Sequence, residues 1–267
     1  MKIQAGCELR FTAEADVPII LMLRPRSGDA QWIVSDQYLI DPVVPVTEFT
    51  DSYGNLCQRL VVPAGPFTVS TSTQAETADE IDVAVGAPYT PVQDLPTDVL
   101  GFLLASRYCP SDQPAIAKQA AAIVDGLLPG YNQAEAIRKW IHEQITYQYG
   151  TSNAQTSALE TLENRIGVCR DFTHLGIALC RSLNIPARMV VGYLHELDPM
   201  DLHAWFEAFV NGRWYTFDAT QAVPKGNRIS VAYGRDAADV AFVTQFGPMT
   251  LDNMEVWVKP ADTDTPT

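Results

Sequence analysis

Cys169 lies in the run Asn164-Arg165-Ile166-Gly167-Val168-Cys169-Arg170-Asp171-Phe172, where a loop gives way to an amphipathic helical pattern. Downstream come His203, in Leu202-His203-Ala204-Trp205-Phe206-Glu207, and Asp218, in Trp214-Tyr215-Thr216-Phe217-Asp218-Ala219-Thr220. A thiol, an imidazole and a carboxylate in that order are the parts of a cysteine-nucleophile enzyme: a base takes the thiol proton and a third group orients the base. A helix start suits the thiol, because unpaired N–H groups and the positive end of the helix dipole stabilise thiolate. Thiols so placed titrate at roughly 3.5–7.5 instead of about 8.5. The same N–H groups can hold an oxyanion, and one such donor lowers the barrier by about 3 kcal/mol.

The relation of His203 to Asp218 follows from pairing rules. Asn211-Gly212 is a strong two-residue hairpin turn. If it closes a regular hairpin, Val210 pairs with Arg213 and Trp205 falls opposite Asp218. His203, Trp205 and Glu207 then share a face with Asp218, and His203 becomes its diagonal neighbour at about 7–8 Å between Cα atoms, within reach of a hydrogen bond. The opposite face, Ala204, Phe206, Ala208 and Val210, is wholly apolar and is expected to be the buried one. A slip of one residue would destroy the arrangement.

The elements that must position these groups divide the chain in two. Up to residue 88 it reads as short strands, at 19–23, 31–40, 43–49, 56–62 and 67–73, with hairpin-turn chemistry in Asp51-Ser52-Tyr53-Gly54-Asn55. Such a pattern suggests an antiparallel β-sandwich over residues 1–88. A Pro- and Gly-containing linker spans 86–96. Helical periodicity follows at 114–128 (Ile116, Ala120, Ile123, Val124, Leu127), at 133–145 (Ile137, Trp140, Ile141, Ile145) and at 169–183 (Phe172, Leu175, Leu179, Leu183), then strands at 188–194, 203–210 and 213–218. The expected organisation is therefore α+β: a sandwich, a catalytic core over 97–258 and a disordered tail over 259–267.

At 267 residues the chain is long for one core and comfortable for two. Its formal charge of −14 argues against nucleic acid and against an anionic membrane as partners, since both need basic patches. Cys7, Cys57, Cys109, Cys169 and Cys180 are odd in number and contain no Cys-x-x-Cys pair, so neither a disulfide framework nor a zinc site is expected. No signal peptide or membrane helix is recognisable, and a cytoplasmic location follows as the expectation. Cys7, Cys57, Cys109 and Cys180 read as structural. His174, about 140° around the helix from Cys169, points elsewhere, and His142 and His195 have no chemical context. Glu207 could support the His203 face or stand exposed. Asp236 and Asp239 could line a loop near the cleft or cap a helix.

Gly167-Val168-Cys169-Arg170-Asp171-Phe172-Thr173-His174, Asn184-Ile185-Pro186-Ala187-Arg188, His203-Ala204-Trp205-Phe206-Glu207 and Phe217-Asp218-Ala219-Thr220 together resemble the transglutaminase-like superfamily, above all its bacterial members described as cysteine proteases. The resemblance covers roughly residues 96–248, and the N-terminal β-region, with Leu23-Arg24-Pro25 and Tyr53-Gly54-Asn55, resembles the domain that usually precedes that core. It implies a papain-like α+β fold with Cys169 as nucleophile, His203 as general base and Asp218 as orienter. Animal transglutaminases carry Trp after the nucleophile, where this chain has Arg170, and an upstream Trp as oxyanion donor, where it offers the phenols of Tyr147 and Tyr149. Trp205 is either a wall of the substrate cleft or ordinary packing. With no acidic calcium loop, neither metal nor cofactor is expected. The implied activity is hydrolysis of a peptide or other amide through a thioester. Transfer of the acyl group to an amine uses the same residues, and a binding module on this scaffold would have lost a triad member, whereas all three are present.

Overall fold

The computed structural model describes residues 1–28 and 30–261. Six strands open the chain: β1 (Lys2–Ala13), β2 (Val17–Arg24), β3 (Gln31–Asp41), β4 (Thr47–Thr50), β5 (Leu56–Val62) and β6 (Gly65–Thr77). There follow α1 (Pro114–Ile123), α2 (Tyr131–Gln144), β7 (Thr146–Tyr147), α3 (Ala158–Asn164), β8 (Ile166–Gly167) and α4 (Cys169–Ser182). The chain ends with β9 (Ala187–Leu194), β10 (His203–Val210), β11 (Arg213–Phe217), β12 (Arg228–Gly234), β13 (Val243–Gln245) and β14 (Met249–Pro260). The fold is α+β, as its sequence pattern implies.

Two four-stranded antiparallel sheets, in the orders β14-β1-β6-β3 and β13-β2-β5-β4, form the sandwich. Alternate residues of β1 (Ile3, Ala5, Cys7, Leu9, Phe11) meet Ile19, Leu21, Leu60 and Val62 of the other sheet in one apolar core, the arrangement that a period of two imposes when one face is buried. Both sheets are completed from the far end of the chain. β13 pairs with β2, and β14 runs along almost the whole of β1. The stretch 243–258, expected in the catalytic core, therefore belongs to the sandwich. It was misplaced because strand alternation marks a half-buried strand without naming its partner. Lys259 and Pro260 lie in β14, and Ala261 is buried with its N–H donating to the Lys2 carbonyl, so these three are not part of the expected tail; its remainder, residues 262–267, lies outside the described ones.

The other half of the chain is a sheet of order β11-β10-β9-β12 with α4 packed on one face. Ala204, Phe206, Ala208 and Val210 point into the helix-covered core as expected. α4 lies so close to β10 that a Cβ on Gly176 would fall 2.4 Å from the Phe206 ring. α1 ends at Ile123, earlier than its periodicity suggests. Gly126 at φ +72° turns the chain away, leaving Leu127 and Leu128 at the surface.

The free edge of this sheet, β12, meets the sandwich. Tyr193, Ile229 and Val231 from β9 and β12 join the sandwich core, and the Tyr193 hydroxyl lies 3.4 Å from the Thr71 hydroxyl. β12 is an edge strand, whose free backbone groups would be costly once buried. Two amide side chains serve as its missing neighbour. Gln31 accepts from the Ser230 N–H (2.7 Å) and donates to its carbonyl (2.8 Å), and Asn55 does the same for Tyr233 (2.8 Å each). Asn55 is the buried end of the Asp51–Asn55 turn, held there by the Asp51 carboxylate.

Removing Asn55 leaves a donor and an acceptor of β12 without partners, each worth about 1–3 kcal/mol. Asn55→Ala should therefore lower unfolding free energy in urea by roughly 2–5 kcal/mol; a loss under about 0.5 kcal/mol would mean that water replaces the amide and that the rung does not secure the interface.

Candidate active site

Cys169 opens α4, and the local sequence explains its setting. Asp171, fully buried, folds back so that its carboxylate accepts the Val168 N–H at 2.9 Å. That return is possible because residue 167 is glycine: a Cβ there would lie 2.7 Å from the Asp171 Cβ. Val168, at the N-cap, offers no side-chain acceptor, and its carbonyl takes the Asp171 N–H, so the N–H groups of Cys169 and Arg170 are the ones that can serve a ligand. The thiol is partly exposed, whereas Cys7, Cys57, Cys109 and Cys180 are buried, and all five are free. Burial pushes the thiols of Cys109 and Cys180 up to about 12, so both are inert at neutral pH.

His203 and Asp218 meet as the hairpin register requires. Val210 pairs with Arg213 and Phe206 with Phe217, so Trp205 and Asp218 fall in the next row. Asn211 and Gly212 take φ +49° and +82°, the positive pair that a tight I′ turn demands. His203 Nε2 lies 2.8 Å from Asp218 Oδ2. With Nε2 engaged, Nδ1 is the nitrogen left for the Cys169 thiol, which adjoins the same ring. Burial acts against protonation of His203, but the charge and hydrogen bond of Asp218, together with Cys169, raise it to about 9. Burial would raise Asp218, yet the charges of His203 and Arg228 and the bonds from His203 and Thr220 hold it well below the usual carboxylate range. Thr220 supplies its N–H (3.0 Å) and hydroxyl (2.7 Å) to Oδ1, an Asx turn within Asp-Ala-Thr.

The aromatic candidates separate. β7 and β8 pair in parallel, Tyr147 opposite Gly167, and this places the Tyr147 phenol against Cys169. Burial, then the nearby thiolate charge and Tyr149, keep that phenol protonated well above its ordinary range. The two tyrosine rings meet edge-on at 5.5 Å, and both are substantially exposed. Trp205 does not line the cleft, which overturns the first of its two readings. It is 1% exposed, tilted against the His203 ring at 6.0 Å and covered by the Arg228 guanidinium at 4.9 Å.

The remaining candidates serve structure. Glu207 is ion-paired with Arg188 at 2.6 Å, away from the triad. His174 is buried, stacked on Tyr108 at 5.2 Å, and accepts the Ala237 N–H at Nε2; burial lowers it to about 3, so it stays neutral. Asp236 accepts the Tyr108 and Ala238 N–H groups, and Asp239 pairs with Arg235. Neither caps a helix. Arg170 donates to the Asn153 carbonyl and so ties down the loop after Tyr149.

Three contributors were missed from sequence. His142 Nδ1 lies 3.1 Å from the Ala219 carbonyl, and Arg138 donates to the Gln221 carbonyl at 2.7 Å, so α2 holds the loop that carries Asp218. Arg228 lies 2.8 Å from Asp218 Oδ2. Only a basic residue before the run Ile229-Ser230-Val231, apolar at alternate positions, hinted at the last. Among the described residues, no cluster of three or more His, Cys, Asp or Glu could hold a metal ion, and no helix is long and apolar enough to cross a membrane.

Comparison with known proteins bears on this geometry. The family model for the transglutaminase-like superfamily matches residues 117–219, a span that holds Cys169, His203 and Asp218. The chain is 36% identical to a "Putative Cysteine Protease" from Cytophaga hutchinsonii of known crystal structure, with a TM-score of 0.90 and coverage of 100% of this chain and 92% of that one. It is 31% identical to an uncharacterized protein of Mycobacterium tuberculosis (82% of this chain, 77% of the other) and 28% identical to one of Mycobacterium leprae (82% of each). This chain belongs to the transglutaminase-like superfamily.

Proposed function

We propose that the protein is a cysteine hydrolase that cleaves peptide or other amide bonds through a thioester on Cys169. The observation that carries this reading is the commitment of His203 Nε2 to a buried, ionised Asp218, which leaves the other ring nitrogen for the thiol. A histidine serving structure alone would not need a partly exposed cysteine at a helix start beside it.

In this reading, His203 takes the Cys169 proton, and the thiolate sulfur attacks the carbonyl carbon. The carbonyl π pair moves to oxygen, where the uncapped N–H groups at the start of α4 and the Tyr147 hydroxyl stabilise the developing charge. Collapse re-forms the carbonyl and breaks the C–N bond, and the amine departs with the proton from His203. Water, deprotonated by the same imidazole, attacks the thioester carbon, the C–S bond breaks, and the acid is released with the Cys169–His203 pair restored. Tyr147 and Tyr149 present aromatic faces to an extended peptide at the mouth of the site.

Limiting iodoacetamide at mildly acidic pH, read by peptide mass spectrometry, should label Cys169 alone, and His203→Ala should slow that labelling by about tenfold or more. Labelling spread over several cysteines, or none before unfolding, would sink the hydrolase reading. Hydrolysis needs the imidazolium as acid. It should therefore fall as pH rises through about 9, where His203 loses its proton, while alkylation of Cys169 should not. If both fall together, the alkaline limb belongs to unfolding instead. Tyr147→Phe should lower kcat by roughly 10- to 100-fold and leave the alkylation rate within about twofold, since the hydroxyl acts on the oxyanion and not on the thiolate. Equal loss in both assays would assign Tyr147 to the thiol's structure.

A further inference from the structure

We propose that Arg228 is a positioning residue of this site, a second cation that shares the Asp218 carboxylate with His203 and so keeps the imidazole proton transferable. The inference rests on the reading of Cys169, His203 and Asp218 as a catalytic unit, and it begins from the way Arg228 is held. It opens β12, on the far side of β9 from β10. Gly192, which adds no side chain, stands between His203 and Ser230 in one row of that sheet. The Arg228 side chain passes over the Trp205 ring and brings Nη2 to 2.8 Å from Asp218 Oδ2, the oxygen that His203 also uses.

The hydrogen bonding of Arg228 is that of a charge, not of a staple. Nε donates to the Lys225 carbonyl at 2.8 Å. Nη1 and Nη2 are buried and have no aligned acceptor. Arg181, equally buried in the same half of the protein, behaves differently: its three nitrogens donate to the carbonyls of Ala187, Leu104 and Arg235 and to the Ser106 hydroxyl. A guanidinium that stitches backbone together spends its N–H groups, as Arg181 does. One that leaves Nη1 without a partner and presses Nη2 on a buried carboxylate contributes through its field.

That field has a chemical purpose. Asp218 is fully buried. With the imidazolium as its only counter-charge, such a carboxylate would bind the proton of His203 tightly and oppose its transfer to a leaving amine. The groups facing the pair are few. Cys169 comes from α4, Tyr147 from β7 beside that thiol, Thr220 from the loop after β11, and Arg228 from β12. His142 of α2 faces the Ala219 carbonyl, and Glu207 on β10 is occupied by Arg188. Arg228 is thus the permanent positive charge against Asp218, and a fixed positive charge near an imidazole disfavours its protonated form.

The test is NMR titration of histidine-labelled protein, which has four histidines, with His203→Ala to assign the signal. In Arg228→Gln the His203 midpoint should rise by about one pH unit or more, and kcat should fall roughly tenfold with KM within about twofold. Arg228→Lys, which keeps the charge and loses the planar stack, should bring both back to within about threefold of the starting protein. A His203 midpoint that stays put in folded Arg228→Gln, or drops toward that of free imidazole, overturns the proposal, because a merely structural arginine predicts one of those two. Should Arg228→Gln not fold, Arg228→Met, which keeps an apolar contact on Trp205 and drops the charge, takes its place: a risen midpoint supports a charge role and an unchanged or fallen one removes it. The titration needs no turnover, so its failure is separate from that of the hydrolase reading, which Cys169 alkylation decides.

Discussion

Asp218 is a carboxylate sealed from water, and the half of the molecule that carries it is organised around the cost of that burial. An unpaired buried carboxylate costs several kcal/mol even after relaxation. Here each oxygen is engaged: Oδ1 by the Thr220 N–H and hydroxyl, Oδ2 by His203 and Arg228. The partners come from the loop after β11, from β10 and from β12, so the hairpin register, the strand order and the loop must all be correct at once. Satisfying Asp218 and aligning the imidazole are therefore one event. The signs agree with this. Asp218, held low, favours the folded state at any pH above the ordinary carboxylate range, and that contribution fades on acidification. His203, raised to about 9, favours folding fully below the ordinary imidazole range and ceases to do so above about pH 9.

The sandwich makes the dry environment possible. One face of the catalytic sheet is apolar and covered by α4, but the other carries His203, Trp205, Glu207 and Arg228 and would be wet without a cover. The β2–β3 connection and the chain around residues 78–82 face it, while the amides of Gln31 and Asn55 satisfy the β12 edge without adding a strand. Because β12 carries Arg228, the docking of the sandwich and the electrostatics of the triad are linked through one strand. That link gives the N-terminal half a role in the site although none of its residues contacts the triad in the hydrogen-bond and ion-pair network described above.

Local signals in the sequence were reliable where the physics is local. The Asn211-Gly212 turn fixed the register that brings His203 to Asp218, the period of α4 gave its buried face, and a loop-to-helix change marked Cys169. Two kinds of feature were not readable. Pairing partners such as β14 on β1 depend on contacts some 250 residues apart, which alternation cannot encode. Burial of the second sheet face depends on a cover contributed by another part of the chain, and that is why Trp205 could be read as a cleft wall and is found beneath Arg228. Arg228 escaped notice for the same reason: a lone arginine at the start of a strand acquires meaning only when the strand is placed next to β9. α3 could have been found, since Ser157 and Glu160 form a capping box with reciprocal bonds.

The outer face of the catalytic sheet also shows how charged side chains can be buried without a uniform salt-bridge network. Arg188 is layered between Trp214 and Tyr233, at 4.2 and 4.4 Å from the ring centres, while its charge is met by Glu207. Arg228 lies over Trp205 while its charge is met by Asp218. In each case a planar, weakly hydrated guanidinium takes its dispersion contact from an indole and its counter-charge from a carboxylate at its edge. Beside these layers lies a cavity of about 920 Å³, bounded by the chain around residues 78–82 and the β2–β3 connection. Arg228 and Trp205 line that cavity, while neither His203 nor Asp218 does. The aromatic–arginine layer thus stands between the cavity and the His203–Asp218 pair.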